Sequence, residues 1–281
     1  MTTTRQGERI VKYKVILCDF DGTLATTDKR LTDYTVSTIK EYVARGGIFI
    51  ICTGRMHISA VEYTKVLGTE HQKISVVSMQ GACIKDKDGE TLNSVYLEHD
   101  TALKVLEYFE NKGEYVHVYC DDAVLVEEYN DINLNYQKLC NVPLRKVGKV
   151  SDFVKNNNHK CLKVLAVIPP EKVSYYLDEF DKMNLPDVKY FMASRSYFEI
   201  VSKYAGKEEG LREVCKILGV DKSEVMAFGD NGNDMGMIEE AGFGVAVANA
   251  REEVKKVADY VCESNDEDGV AKTIRKYCFD E

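Results

Sequence analysis

The chain of 281 residues is long enough for one large domain or two ordinary ones, and its 44% apolar content excludes an intrinsically disordered protein. A net charge of −9 without any dense Lys/Arg run excludes the electrostatic footprint of a nucleic-acid binder, because phosphate neutralisation supplies most of that affinity. The polar start, Met1 to Arg9, runs into the first strand with no apolar segment long enough for a signal peptide or membrane span, so the expected location is the cytoplasm, with no membrane partner.

The apolar run Val15-Ile16-Leu17-Cys18 reads as a buried parallel strand, and Asp19-Phe20-Asp21-Gly22-Thr23-Leu24 follows it directly. Ligands of open α/β sheets gather beyond the carboxyl ends of such strands. Alternation along an extended chain points Asp19 and Asp21 the same way and Phe20 to the other side. Two carboxylates on one face repel each other unless a cation lies between them, and Mg²⁺ is the expected one.

Helical spacing of Val36, Ile39 and Val43 predicts a helix from Thr32 to Arg45, stopped by Gly46-Gly47. A second buried strand, Ile48 to Cys52, ends in Thr53-Gly54-Arg55. A helix over 58–67 leads to a third strand, 74–79, and then Gln80-Gly81-Ala82. The alternation of strand and helix argues for βαβ units and a parallel sheet.

The texture changes there. Asp86-Lys87-Asp88-Gly89 reads as a hairpin turn, and partly alternating, Tyr-rich strands follow at 115–119 and 124–126. Further strands are expected near 162–168, 187–194 and 196–202, with helices near 100–112, 129–140 and 171–183, and an exposed loop at Lys155 to Lys160. Alternation with one polar face predicts an antiparallel sheet covered by helices on one side, a second α+β domain inserted into the first. The expected boundaries are 1–84 and 200–281 for the core and 85–199 for the insert.

Core texture then resumes. Lys207 opens a helix to Leu218, and the strand Val225 to Phe228 leads into Gly229-Asp230-Asn231-Gly232-Asn233-Asp234. A short strand at 244–248 and a helix near 267–278 complete the chain. The nine cysteines show no CxxC spacing and read as reduced core residues, and the five histidines show no metal-ligand spacing.

Taken singly, each polar element also fits a turn, a helix cap or a solvated lysine. Together, Asp19/Asp21, Thr53-Gly54, Lys207 and Asp230 with Asn233 and Asp234 supply what phosphoryl transfer through a covalent intermediate requires. Asp19 is the candidate nucleophile, and Asp21 can protonate the leaving oxygen and then deprotonate water. Asp230 is a hard ligand for the metal. The Thr53 hydroxyl, the Gly54 N–H and Lys207 can hold the phosphoryl group, Asn233 can orient substrate or a ligand carboxylate, and Asp234 supports Lys207 or a metal-bound water.

The order DFDGTL, ICTGR, a lysine at a helix start and GDNGND resembles the haloacid dehalogenase superfamily. Residues 76–82, 248–255 and 264–271 narrow the likeness to its Cof-type sugar-phosphate phosphatases. The resemblance implies a Rossmann-like parallel-sheet core with a large inserted α+β cap, and Mg²⁺-dependent hydrolysis of small phosphomonoesters. It also implies that Asp19, Asp21 through its backbone carbonyl, and Asp230 ligate the metal. Two departures stand out: Glu208-Glu209 follow Lys207 where glycine is usual, leaving Lys203 as the alternative lysine, and Gln80 replaces an asparagine. A phosphomutase on the same core, or a non-catalytic binding module, is the alternative function. Phosphosugars, pyridoxal phosphate and flavin mononucleotide all remain open as substrates, selected by insert residues.

Overall fold

A computed structural model describes residues 11–120, 123–192 and 195–279. The polar N-terminal residues and the end of the strand expected over 187–194 lie outside them. The chain divides into two compact units, one running as far as Asn93 and resuming at Gly206, the other formed by Ser94–Ala205.

In chain order the first unit begins with β1 (Val15–Cys18), α1 (Asp33–Ala44), β2 (Ile48–Cys52), α2 (His57–Ala60), α3 (Glu62–Leu67), β3 (Val76–Ser78), β4 (Cys83–Lys85) and β5 (Thr91–Ser94). The second unit contributes α4 (His99–Asn111), β6 (Tyr115–Tyr119), β7 (Val124–Val126), α5 (Asp131–Cys140), β8 (Leu144–Lys146), α6 (Val150–Asn157), β9 (Lys163–Val167), α7 (Val173–Met183), β10 (Val188–Met192) and β11 (Tyr197–Ser202). The first unit then closes with α8 (Lys207–Leu218), β12 (Val225–Gly229), α9 (Met235–Glu240), β13 (Phe243–Val247), α10 (Glu252–Val257), β14 (Tyr260–Cys262) and α11 (Gly269–Cys278).

The first unit's sheet has the order β14-β13-β12-β1-β2-β3-β4-β5. Pairing is parallel from β14 through β3, and β4 joins antiparallel. Because β1 is central, both its faces are covered, which is why its sequence is apolar without alternation. Ile16 and Cys18 pack on one side with Ile39 and Tyr42 of α1 and Ile274 of α11, and Val15 and Leu17 pack on the other with Leu211 and Val214 of α8. The register sets Cys18 beside both Phe228 and Ile51, so the residues following β1, β2 and β12 emerge together.

Three local expectations need correction. The helix expected over 58–67 is interrupted at Val61, which caps both α2 and α3. The expected loop at 155–160 is entered by α6, which persists through Asn157 because Val150 and Val154 bury its inner face and Asn158 ends it in the left-handed conformation (φ 46°). The boundaries of the second unit fall later than 85 and 200, because β4 and β5, joined by the turn in which Gly89 N–H donates to Asp86 O (3.2 Å), belong to the first unit's sheet.

The second unit's sheet runs β10-β11-β9-β6-β7-β8, antiparallel except for β7 with β8. One face carries Val116, Val118, Phe198 and Ile200 against α4, α6 and α7. The other is covered as well, contrary to the expected single layer. There the Tyr136 ring of α5 packs tilted or edge-on against His117, Tyr119 and Tyr197, and Lys163 pairs with Glu199 (2.7 Å). The polar alternation of these strands reflects a buried polar layer rather than a solvated face.

Candidate active site

The backbone extends the sheet for one residue past β1, where Asp19 N–H donates to Phe228 O (3.0 Å), and then turns back as Leu24 N–H reaches Asp19 O (3.2 Å). The turn needs Gly22, whose φ is +84° and whose position would place an added Cβ 2.8 Å from Asp230 Oδ2. Thr23 donates its hydroxyl to Asp230 Oδ1 (2.9 Å). Local turn chemistry at 22–23 thus draws the loop after β12 onto the end of β1.

The centre of the arrangement is Lys207, the first residue of α8, whose side chain has no solvent exposure. Its ammonium donates to Asp19 Oδ1 and to Asp234 Oδ1, the latter at 2.6 Å. Burial opposes a charged lysine, but the two carboxylates outweigh it and raise the Lys207 pKa. Asp19 is 6% exposed, and its pKa is raised by burial and by the charges of Asp234 and Asp230, against the pull of Lys207. Asp230 is raised for the same reasons, burial first and Asp234 second.

Asp19, Asp230 and Asp234 each offer an oxygen within 4.8 Å of the others. The donor set is all hard oxygen, and one lysine does not balance three carboxylates, so the residues fit a divalent cation such as Mg²⁺. Their availability differs. Asp234 is fully buried and committed, with Oδ1 on Lys207 and Oδ2 accepting from the N–H groups of Asp230 and Asn231 (both 3.0 Å). Of the other two, Asp19 gives Oδ1 to Lys207 and Asp230 gives Oδ1 to the Thr23 hydroxyl.

Asp21 stands apart from this cluster. Its carboxylate takes a two-pronged contact from Arg55 (Nε to Oδ2 2.6 Å, Nη2 to Oδ1 2.7 Å) and another from Lys29 (2.8 Å). Burial alone would raise its pKa, but hydrogen bonds and charge from Arg55 and Lys29 prevail and hold it below the usual carboxylate range. The expectation that Asp19 and Asp21 share one cation between their carboxylates is therefore corrected: each carboxylate has its own basic partner. The Phe20 ring lies under the same Arg55 guanidinium (4.7 Å) and against Tyr63 (4.3 Å).

Thr53 is buried at the end of β2, where its N–H donates to Val77 O (2.8 Å) and its hydroxyl accepts from Arg55 N–H (3.2 Å). Gly54 admits the carboxamide of Gln80, since a Cβ there would lie 2.5 Å from Gln80 Nε2. Asn233 donates to Gln80 Oε1 (2.8 Å). Lys203, the alternative lysine, lies over the Tyr204 ring (5.1 Å), and it is Lys207 that meets the aspartates.

Sequence reasoning missed the supporting residues. Arg55 and Lys29 were legible only as basic residues near an unpaired acid. The segments 248–255 and 264–271 fasten the loop after β1 and the start of α1: Asn249 donates to Gly22 O (2.7 Å), Asn265 to Ala25 O (2.9 Å), Thr27 N–H to Asp266 (2.8 Å) and Thr35 of α1 to Asp268 (3.0 Å).

Comparison with known proteins agrees with this geometry. A family model described as haloacid dehalogenase-like hydrolase matches residues 16–274. The putative phosphatase YxeH of Bacillus subtilis is 30% identical over 94% of this chain and 98% of its own. The 5-amino-6-(5-phospho-D-ribitylamino)uracil phosphatase YitU of the same organism is 28% identical, over 95% and 98%. A haloacid dehalogenase-like hydrolase from Bacteroides thetaiotaomicron superposes with a TM-score of 0.85 at 26% identity, covering 94% of this chain and 99% of its own. A parallel sheet that delivers Asp19 and Asp230 to one end, where Lys207 at the start of α8 meets Asp19, matched along nearly the whole chain, makes this protein a member of the haloacid dehalogenase-like hydrolase family.

Proposed function

We propose that the protein is a Mg²⁺-dependent phosphatase that hydrolyses small phosphorylated metabolites, with sugar phosphates as the preferred class, through an aspartyl-phosphate on Asp19. The observation that carries this reading is the fully buried Lys207 ammonium shared by Asp19 and Asp234, with Asp230 alongside. A buried lysine at a carboxylate nucleophile neutralises the approach of a phosphoryl group that would otherwise be repelled. The names of YxeH and YitU, phosphatases of similar length, support the class, and YitU's phosphoribityl substrate supports a phosphorylated sugar or polyol.

In this mechanism an Asp19 oxygen attacks phosphorus while the ester oxygen leaves with a proton from Asp21. Asp21 then takes a proton from water, whose oxygen attacks the same phosphorus, and phosphate departs as the Asp19 carboxylate is restored. Arg55 and Lys29 favour the ionised form of Asp21 that the second half requires. Asp19, Asp230 and the Asp21 backbone carbonyl would hold Mg²⁺, which supplies charge neutralisation of the transferring group. Thr53, the Gly54 N–H, Lys207 and Asn233 orient the phosphoryl oxygens. With nine free cysteines, the chain suits a reducing cytoplasm.

The test is Mg²⁺-dependent phosphate release from p-nitrophenyl phosphate by the purified chain and by Asp19→Asn. Wild-type turnover with loss of at least about 10³-fold in the variant is expected, given the size of nucleophile deletions; full activity in Asp19→Asn overturns the assignment. A panel of phosphorylated metabolites ranked by kcat/KM then identifies the substrate.

A further inference from the structure

Between β3 and β4 the backbone does something costly. Met79, Gln80 and Gly81 are three consecutive residues with positive φ (54°, 59° and 87°), and two of them carry side chains for which the left-handed region is unfavourable. Such strain survives only where the surroundings over-determine it. Here Met79 N–H donates to Arg55 O (2.9 Å), Gln80 N–H to Thr53 O (3.1 Å) and Ala82 N–H to Met79 O (3.1 Å). Gly81 lies so close to the start of α8 that a Cβ would fall 2.0 Å from Gly206 O. The turn therefore touches both the 53–55 loop and the helix that begins with Lys207.

From this turn the Gln80 side chain, 7% exposed, reaches the site. Its oxygen accepts from Asn233 Nδ2 (2.8 Å), and its NH₂ group sits against Gly54. One carboxamide thus spans the loop after β2 and the loop after β12. Asparagine tolerates the left-handed region better than glutamine, yet its amide would stop one methylene short of Asn233. The longer side chain is retained at a cost in backbone strain, which argues for a role in reach rather than in stability.

We propose that Gln80 is a positioning residue: it fixes the orientation of Asn233 against the Thr53-Gly54 loop, so that the two halves of the phosphate-holding surface keep their spacing. The inference rests on the phosphatase reading of Asn233, and its test uses equilibrium binding as well as turnover to keep the two separable. The affinity of the Mg²⁺-loaded chain for inorganic phosphate and kcat/KM for p-nitrophenyl phosphate are measured in Gln80→Ala, Gln80→Asn, Asn233→Ala and the Gln80→Ala/Asn233→Ala pair.

Loss of one oriented hydrogen bond predicts about tenfold weaker phosphate binding and about tenfold lower kcat/KM in each single variant. Because Gln80 acts through Asn233, the double variant should be no worse than Asn233→Ala alone. Gln80→Asn should melt at or above the wild-type temperature while showing the same kinetic loss, which a merely structural role would not produce. Wild-type phosphate affinity in Gln80→Asn, or additive losses in the double variant, overturns the proposal. A wild-type chain that binds phosphate but releases none from esters would overturn the phosphatase reading and leave the Gln80 coupling decided by binding; one that binds no phosphate overturns both.

Discussion

At the scale of single residues, the site is a problem of charge kept out of water. Asp19, Lys207 and Asp234 are all buried, and a buried ion group holds together only while each member has its partners. Replacing Lys207 by methionine keeps the volume but strands two buried carboxylates. Destabilisation of about 3–5 kcal/mol at neutral pH is expected, read by denaturant melts, with activity lost. Asp19 and Lys207 were legible in sequence because the one directly follows a strand and the other opens a helix, and Asp234 because it ends the polar run after β12. Arg55 and Lys29 were not, since nothing in a linear motif says which acid a nearby base will neutralise. The same holds for Gln80, visible as a departure from a pattern but not as a link between two loops.

At the scale of elements, the layer between β6 and α5 shows how alternation can mislead. Tyr115, His117 and Tyr119 look like a solvated strand face, yet His117 is fully buried with its Nδ1 on the Tyr115 hydroxyl (3.2 Å), near Lys163 and the Tyr136 ring. Burial first, and the Lys163 charge second, push its pKa from 6.5 down to about 3. The unfolded chain then binds a proton below pH 6.5 that the folded chain refuses, so this residue's contribution is intact above that pH and is lost as pH falls toward 3. The slope is about 1.4 kcal/mol per pH unit. His117→Gln should flatten the fall in stability between pH 6 and 4 by about that amount, measured by urea titrations across pH; an unchanged slope would show that the imidazole charges freely in the fold. The βαβ alternation of the first unit was legible because buried parallel strands are continuous apolar runs. The short β8 (Leu144–Lys146), half exposed and charged, offered no such signal.

At the scale of the whole molecule, the apolar clusters respect the division into two units. That of Ser94–Ala205 draws on Val105, Phe109, Phe180 and Phe198 from its own helices and strands, while the first unit builds two clusters on either side of its sheet. A segment of 112 residues with its own core meets the size at which domains fold alone. Residues 94–205 expressed separately should unfold cooperatively in urea with a native-like circular dichroism spectrum; a gradual, non-cooperative transition would show dependence on the rest of the chain. Sequence texture revealed that an insert existed, but placed its edges by composition, and the β4–β5 hairpin has the polar composition of the insert while pairing with the sheet of the first unit.

The central position of β1 has a consequence for how the molecule is made. One of its edges is satisfied early by β2, but the other pairs with β12, in which Val225 lies opposite Val15. At ribosomal speeds of about 5–20 residues per second, the second partner emerges roughly 10–40 s after the first strand, and until then an apolar strand edge remains open. The newborn chain thus carries an open apolar strand edge through most of its own synthesis, and Asp19 at its end acquires Lys207 only after the entire insert has left the ribosome.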